Sequence, residues 1–217
     1  MNDSVNIKLT QDQLDMLKEL GNIGSGHAIT ALSKLISGKI EVSLTSADII
    51  SFWKVPDLFV NPYVDMVGIY SEIPFNSDLA IIQIFTKESI INLINILTDY
   101  DEISIDNLKS IDDLDDFSCS IITEIGNILS GHYTNALANL LSIKLIPNVP
   151  KIAIDTLNAI LEGIIAKYSQ VSDYMILINT KLTVSDINLE ATICLIPSIS
   201  ILKSLFNILN LKYDLNL

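Results

Sequence analysis

One nine-residue phrase occurs twice in this chain and constrains its fold more than any other feature. Residues 19–27 read ELGNIGSGH and residues 124–132 read EIGNILSGH, so Glu, Asn, Gly, Ser and His recur at a fixed offset of 105. Each copy runs on into a small-and-apolar helical pattern, AITALSKLIS over 28–37 and YTNALANLLS over 133–142. Weaker echoes follow. DMVGIYSEI (65–73) resembles YMILINTKL (174–182), and LAIIQIFT (79–86) resembles EATICLIP (190–197). SIINLINIL (89–97) and SILKSLFNIL (200–209) then close the two halves as helices. Self-similarity at one long offset marks a tandem duplication. In 217 residues we therefore expect a single domain, 1–217, made of two repeats at about 8–98 and 112–212, joined by an acidic loop at 99–111.

Each half reads as a long helix, a segment leading away, two or three strands and a closing helix. Thr10 with Gln13 three residues later predicts a capping box. Asp112, Asp113, Asp115 and Asp116 place at the start of the second long helix the charge its dipole favours. A short turn such as PFNS (74–77) favours antiparallel neighbours. PKIAIDTLNAILEGIIAKYS (150–169) reads as an extended stretch followed by an amphipathic helix. Its first-half counterpart, SADIISFWKVPDLFV, carries Pro56 and is much less regular. The expected fold class is α/β in the α+β sense: pseudo-twofold helix–strand halves sharing one mostly antiparallel sheet, with long helices packed on it.

Composition removes several functions. Thirteen cations face 26 acids for a net charge of −13, and every cation is Lys. Nucleic acid and anionic lipid both reward positive charge, so neither is an expected partner. Without Arg there is no bidentate phosphate clamp, and phosphate chemistry must rest on Lys, amides, backbone N–H or a partner's cation. The 49% apolar content allows a large core. No run approaches the length of a membrane span. The start, MNDSVNIKLTQDQ, lacks the basic-then-apolar layout of a secretory signal, so we expect a cytoplasmic protein without membrane insertion. Cys119 and Cys194 stand far apart, outside any metal-ligand spacing, and read as reduced, buried thiols. Two histidines, His27 and His132, are too few for a conventional zinc site. No metal and no cofactor is expected in the chain itself.

On a wheel of 100° per residue, Asp15, Glu19, Asn22, Gly26, Thr30 and Ser33 share one side of the first helix. Leu14, Leu17, Leu20, Ala28, Leu32 and Leu35 take the other. The second helix divides likewise, with Ser120, Glu124, Asn127, Gly131, Asn135 and Ala138 opposite Ile122, Ile125, Leu137 and Leu140. A carboxylate and a carboxamide thus sit one turn apart on a solvent face, beside small residues. Gly21, Gly24, Gly26, Gly126 and Gly131 each cost about 1 kcal/mol relative to Ala inside a helix, so they imply either close helix packing or a docked partner. His27 falls well around the helix from Asn22, and both histidines read as packing or rim residues. Ser25 and Ser130 precede them by two, yet nothing completes a Ser–His–Asp arrangement.

The patterns D-x3-E-x2-N (Asp15–Glu19–Asn22) and S-x3-E-x2-N (Ser120–Glu124–Asn127) resemble the paired signatures of the CheC phosphatases of bacterial and archaeal chemotaxis. That family's pattern closes with a downstream proline. Pro150 takes the place in the second copy, whereas Thr45 stands there in the first. The related CheX proteins carry one copy, and the flagellar switch proteins FliY add a C-terminal domain that does not follow the second half here. The resemblance implies a substrate, the response regulator CheY phosphorylated on Asp, which brings its own Mg²⁺ and Lys. It implies that Asn22 and Asn127 orient the attacking water and that Glu19 and Glu124 anchor the regulator's Lys, with Asp15, Ser120 and Pro150 in support. A carboxamide suits that role because it both accepts from and donates to water. Alternatives from another class are an adaptor that holds the receptor deamidase CheD, for which Asp155 and Glu162 are the candidate contacts, and a flagellar switch component.

Overall fold

A 26-residue helix, α1 (Gln11–Ile36), opens the chain. Its first turn is held by the expected capping box: Thr10 N–H donates to Gln13 Oε1 at 2.7 Å, and Gln13 N–H donates to Thr10 Oγ1 at 3.4 Å. The computed structural model describes residues 10–36, 40–55, 61–74, 79–98, 107–169, 174–184 and 187–208. After α1 come β1 (Ile40–Ser51), a 3₁₀ turn (Phe52–Lys54), β2 (Asp65–Ile73), β3 (Leu79–Thr86) and α2 (Lys87–Thr98). The second half repeats the plan with α3 (Asp116–Leu141), β4 (Lys151–Thr156), α4 (Leu157–Tyr168), β5 (Tyr174–Val184), β6 (Ile187–Ile196) and α5 (Ile199–Ile208). Most of the PFNS turn and the stretch 99–106 of the acidic loop lie outside the described residues.

The acidic run is used as its residue types suggest. Asp113 closes a capping box with Ser110 on the 3₁₀ turn Ile111–Asp113. Asp115 is the N-cap of α3 and accepts from Ser118 N–H at 2.6 Å. That bond holds the Asp115 carboxyl below its ordinary range. At the far end Ser142 adopts the left-handed conformation (φ 53°), and Ile143 N–H donates back to the Ala138 carbonyl at 3.0 Å.

All six strands form one antiparallel sheet in the order β1-β5-β6-β3-β2-β4. Exchanging the halves reverses this order onto itself, so a pseudo-twofold axis runs between β3 and β6. Each half lends its first strand to the other: β1 pairs with β5, and β4 with β2. Alternation along the strands feeds two apolar layers. Leu79, Ile81 and Phe85 of β3 join the layer under α1, α2, α3 and α5, whereas Ala80, Ile82 and Ile84 join a smaller one under α4. Because both faces are covered, β3 reads as an almost unbroken apolar run.

Two positions depart from the helical wheel. Leu35, expected on the buried side, is 37% exposed, and Ala138, expected on the open stripe, is buried. A wheel assumes one buried face. Here α3 meets both the sheet and the chain that folds back after Ser142, which brings Leu145 into the same apolar cluster as Ala138. Among the described residues no helix is long and apolar enough to cross a membrane.

Strand exchange yields a prediction about the repeats. Produced separately, residues 1–98 and 107–217 each lack the strand that covers their β2 or β5, and neither should show a cooperative thermal transition as a monomer. Mixed, they should regain one, checked by circular dichroism and size-exclusion chromatography. Two independently melting monomers would count against a single folding unit.

Candidate functional site

The site is built on α1 and α3, which pack against each other on the larger apolar layer. They are in close contact at Gly24, where an added Cβ would stand 2.7 Å from a ring carbon of Tyr133. Tyr133 is itself buried and its hydroxyl lies 3.2 Å from Thr180 Oγ1 of β5, which ties the crossing to the sheet. His27 and His132 meet edge-to-face there, with ring centroids 6.0 Å apart. Since they are related by the 105-residue offset, their contact marks the pseudo-twofold axis. Burial first, and then the neighbouring His27, lowers the His132 pKa.

Glu19 and Asn22 are exposed on α1, and Glu124 and Asn127 are exposed on α3. The two pairs do not converge on one site. Glu19 shares a cleft of about 190 Å³ with Met16, Leu20, Ile23, Asn139 and Leu140. It therefore faces the C-terminal part of α3, and Glu124 lies at least 12 residues back along that helix. At 1.5 Å per residue, the two carboxylates are roughly 18–24 Å apart along the axis. Two separate surfaces result, each with a carboxylate and a carboxamide one turn apart.

The supporting positions fall as follows. Asp15 accepts from Gln11 Nε2 at 2.9 Å and lies 3.6 Å from Lys18 Nζ, both on the surface. The Ser120 hydroxyl donates to the Phe117 carbonyl at 2.7 Å, a bond within the first turn of α3. Pro150 is buried immediately before β4. Its Cγ and Cβ lie 3.2 and 3.3 Å from where a Cβ on Gly126 would stand, and Ile69 Cγ2 lies 2.5 Å away. Gly126 sits between Glu124 and Asn127, so the proline presses on the backbone that carries the second pair. In the first half the chain does something else. The ladder between β1 and β5 shifts register between Leu44 and Ser46, which puts Thr45 at a bulge. Asp155 and Glu162 are exposed on β4 and α4.

A buried polar cluster that the sequence reading missed lies beneath the second pair. Gln83, fully buried in β3, donates through Nε2 to the Gly126 carbonyl at 3.0 Å and to Ser130 Oγ at 2.7 Å. Ser130 Oγ in turn lies 2.8 Å from Ser71 Oγ of β2. Its sequence signal is the single Gln in the apolar run LAIIQIFT. Ser25 is also buried, and its hydroxyl donates to the Gly21 carbonyl at 2.7 Å. Both serines are thus structural. Cys194 is buried and Cys119 half-buried, both as free thiols.

The glycines now divide by role. Gly24 and Gly126 have no room for a Cβ, whereas an added Cβ at Gly26 or Gly131 would meet nothing within 4 Å. Internal packing explains the first two and leaves the second pair, which flanks the His27–His132 contact, unexplained.

With this geometry in view, the comparisons with known proteins define a class. A CheC-like family model matches residues 13–43 and 117–154, the stretches that carry both Glu–Asn pairs. The chain is 32% identical over 181 residues to the "CheY-P phosphatase CheC" of Bacillus subtilis, covering 80% of this chain and 81% of that protein. It is 33% identical over 75 residues to the flagellar motor switch phosphatase FliY of the same organism, covering 35% of this chain and 20% of that protein. In fold it is similar to the crystal structure of Thermotoga maritima FliY, with a TM-score of 0.69, 18% identity, and coverage of 95% of this chain and all of that one. The chain belongs to the CheC-like family.

The contrast between glycines predicts opposite signs for one type of substitution. Gly126→Ala should lower stability by about 1–3 kcal/mol through overpacking against Ile69 and Pro150. That corresponds to a fall in Tm of several degrees for a chain of this size. Gly131→Ala should raise stability by up to about 1 kcal/mol. Thermal denaturation of the two variants checks both signs.

Proposed function

We propose that this protein dephosphorylates an aspartyl-phosphate response regulator of the CheY type, using two surfaces, Glu19/Asn22 and Glu124/Asn127. The observation that carries the reading is the twofold repetition of an exposed carboxylate–carboxamide pair on paired helices, in a member of a family that includes a named CheY-P phosphatase. In this reading Asn22 and Asn127 hold the attacking water in line with the phosphorus, and Glu19 and Glu124 engage a regulator Lys beside the phosphate. An aspartyl phosphate is already labile, and the regulator supplies Mg²⁺. What this chain adds is position, and well-oriented reactants gain several orders of magnitude from position alone. The open space at Gly26 and Gly131 suits the close approach of a regulator between and beside the pairs. The apolar cleft around Glu19 offers Met16, Ile23 and Leu140 as further contacts at the first surface.

The direct test is phosphate release from purified phosphorylated CheY. Asn22→Ala combined with Asn127→Ala should reduce the stimulated rate by roughly a hundredfold or more while the fold is kept, since both side chains are exposed. Full activity in the double variant would remove the proposal. Glu124→Lys should raise KM more than it lowers kcat, because it sets like charge against the regulator's Lys.

The two surfaces should differ in strength. Pro150 and Gln83 hold the backbone at Gly126 from two sides, while the first half has a bulge at Thr45. Better preorganisation at the second surface is worth about 1 kcal/mol, or several-fold in rate. Asn127→Ala alone should therefore remove more activity than Asn22→Ala alone, and equal losses would refute the ranking.

An adaptor role toward CheD remains a second proposal for the exposed face of β4 and α4. Reversing the charge of Asp155 and Glu162 in folded protein should then abolish co-purification with CheD.

A further inference from the structure

Away from both helix surfaces, on the opposite face of the sheet, lies a cavity of about 290 Å³ between α4 and the strands. Its cause is visible in the register. β2 and β4 place Tyr70 opposite Lys151 and Gly68 opposite Ala153 on this face. The Gly68–Ala153 rung has almost no side-chain bulk. At Gly68 the helix comes close, with Ile160 Cγ2 3.0 Å from an added Cβ, but at Gly163, a turn further on, an added Cβ would meet nothing. The hollow therefore widens toward the C-terminal end of α4, between aliphatic walls from Ile82, Ile160 and Ile164.

That wider end is polar. The Tyr70 hydroxyl donates to Glu72 Oε1 at 3.0 Å and is hydrogen-bonded to the Tyr168 hydroxyl. Lys167 Nζ donates to the Tyr70 hydroxyl at 3.0 Å and pairs with Glu72. The same ammonium lies 5.2 and 5.5 Å from the Tyr70 and Tyr168 ring centroids. Lys151 borders the cavity as well. Among the described residues at this mouth, Lys151 and Lys167 stand with one carboxylate, Glu72, in a chain whose net charge is −13. Among the described residues, the pseudo-twofold mate of this place carries different groups. There Leu177 stands opposite Asp48 in the ladder, and Ser46 opposite Asn179. A leucine occupies the position of Gly68, and the short turn Phe52–Lys54 follows β1 where α4 follows β4.

We propose that this cavity binds a small amphiphilic monocarboxylate, its aliphatic body lying over Gly68 and Ala153 beneath α4, and its carboxylate between Lys151 and the Tyr70–Tyr168–Lys167 cluster. An apolar recess with a few convergent polar groups at one end has the architecture of a small-molecule site. The two lysines of the lining favour an anion, and the aliphatic walls select a hydrocarbon body. The site is remote from the Glu–Asn surfaces, and the inference does not depend on what those surfaces do.

Titration calorimetry of the full chain at neutral pH with sodium hexanoate, and with 1-hexanol as the uncharged control, tests it. Hexanoate should bind saturably at one site per chain and hexanol at least tenfold more weakly. Lys151→Gln should weaken hexanoate about tenfold and leave hexanol unchanged. Gly163→Leu adds bulk at a lining position with open space around it, favours the helix and should abolish binding of both. If that variant fails to fold by circular dichroism, Ala153→Leu fills the same space from the sheet side. Absence of saturable hexanoate binding to the unaltered chain, equal affinity for hexanol, or binding that survives filling of the cavity would each overturn the proposal.

Discussion

The seating of α3 on the sheet at Gly126 is the contact on which the placement of the second Glu–Asn pair depends. There the helix backbone comes within reach of Ile69 and Pro150, closer than any side chain allows. Gln83 crosses from β3 to the Gly126 carbonyl and to Ser130, and Ser130 continues to Ser71. Each such hydrogen bond adds only about 1 kcal/mol net, but leaving these buried groups unpaired would cost more. Together they fix the height and rotation of α3. Glu124 and Asn127, two residues before and one after the clamped position, inherit a defined direction and stay exposed. Positional chemistry needs that combination of side chains left open and a backbone held still.

Each half carries a copy of the Glu–Asn pair, and packing treats the two copies differently. Proline cannot donate to a ladder, so Pro150 stands just before β4 and leans on α3. Thr45 has an N–H, and β1 passes through it with a bulge and runs on to pair Ser51 with Tyr174. On the other face, glycine at 68 and leucine at 177 leave a hollow in one half and fill it in the other. The halves nevertheless remain interlocked, because each provides the edge strand that covers its partner's sheet.

The arrangement also accounts for residues that look reactive but are not placed to react. His27 and His132 meet each other at the helix crossing, with the lowered pKa of His132 set by burial. Ser25 and Ser130 spend their hydroxyls on the helix backbone and the sheet. Cys194 is buried, and its thiol is pushed up to about 12 by desolvation. Glu19, Asn22, Glu124 and Asn127 stay exposed on the two helices, with His27 exposed at their crossing.

Local pattern carried much of this protein. The 105-residue offset marked the repeat, and the spacing of Glu and Asn placed both pairs on open helix faces. The Thr10 and Asp115 caps follow from side chains within three residues of the groups they bind. Three features needed the tertiary structure. Strand exchange was not legible because alternation reports a strand's buried face and not its neighbour. The wheel misplaced Ala138 because burial at a helix end depends on where the departing chain goes, here back over α3 after Ser142, and nothing in the structure explains the exposure of Leu35. The Gln83 clamp and the hollow over Gly68 arise between residues 43 and 85 positions apart, from Gln83 to Gly126 and from Gly68 to Ala153. No local period encodes such a meeting, since it exists only once the register of the sheet and the height of each helix above it are set.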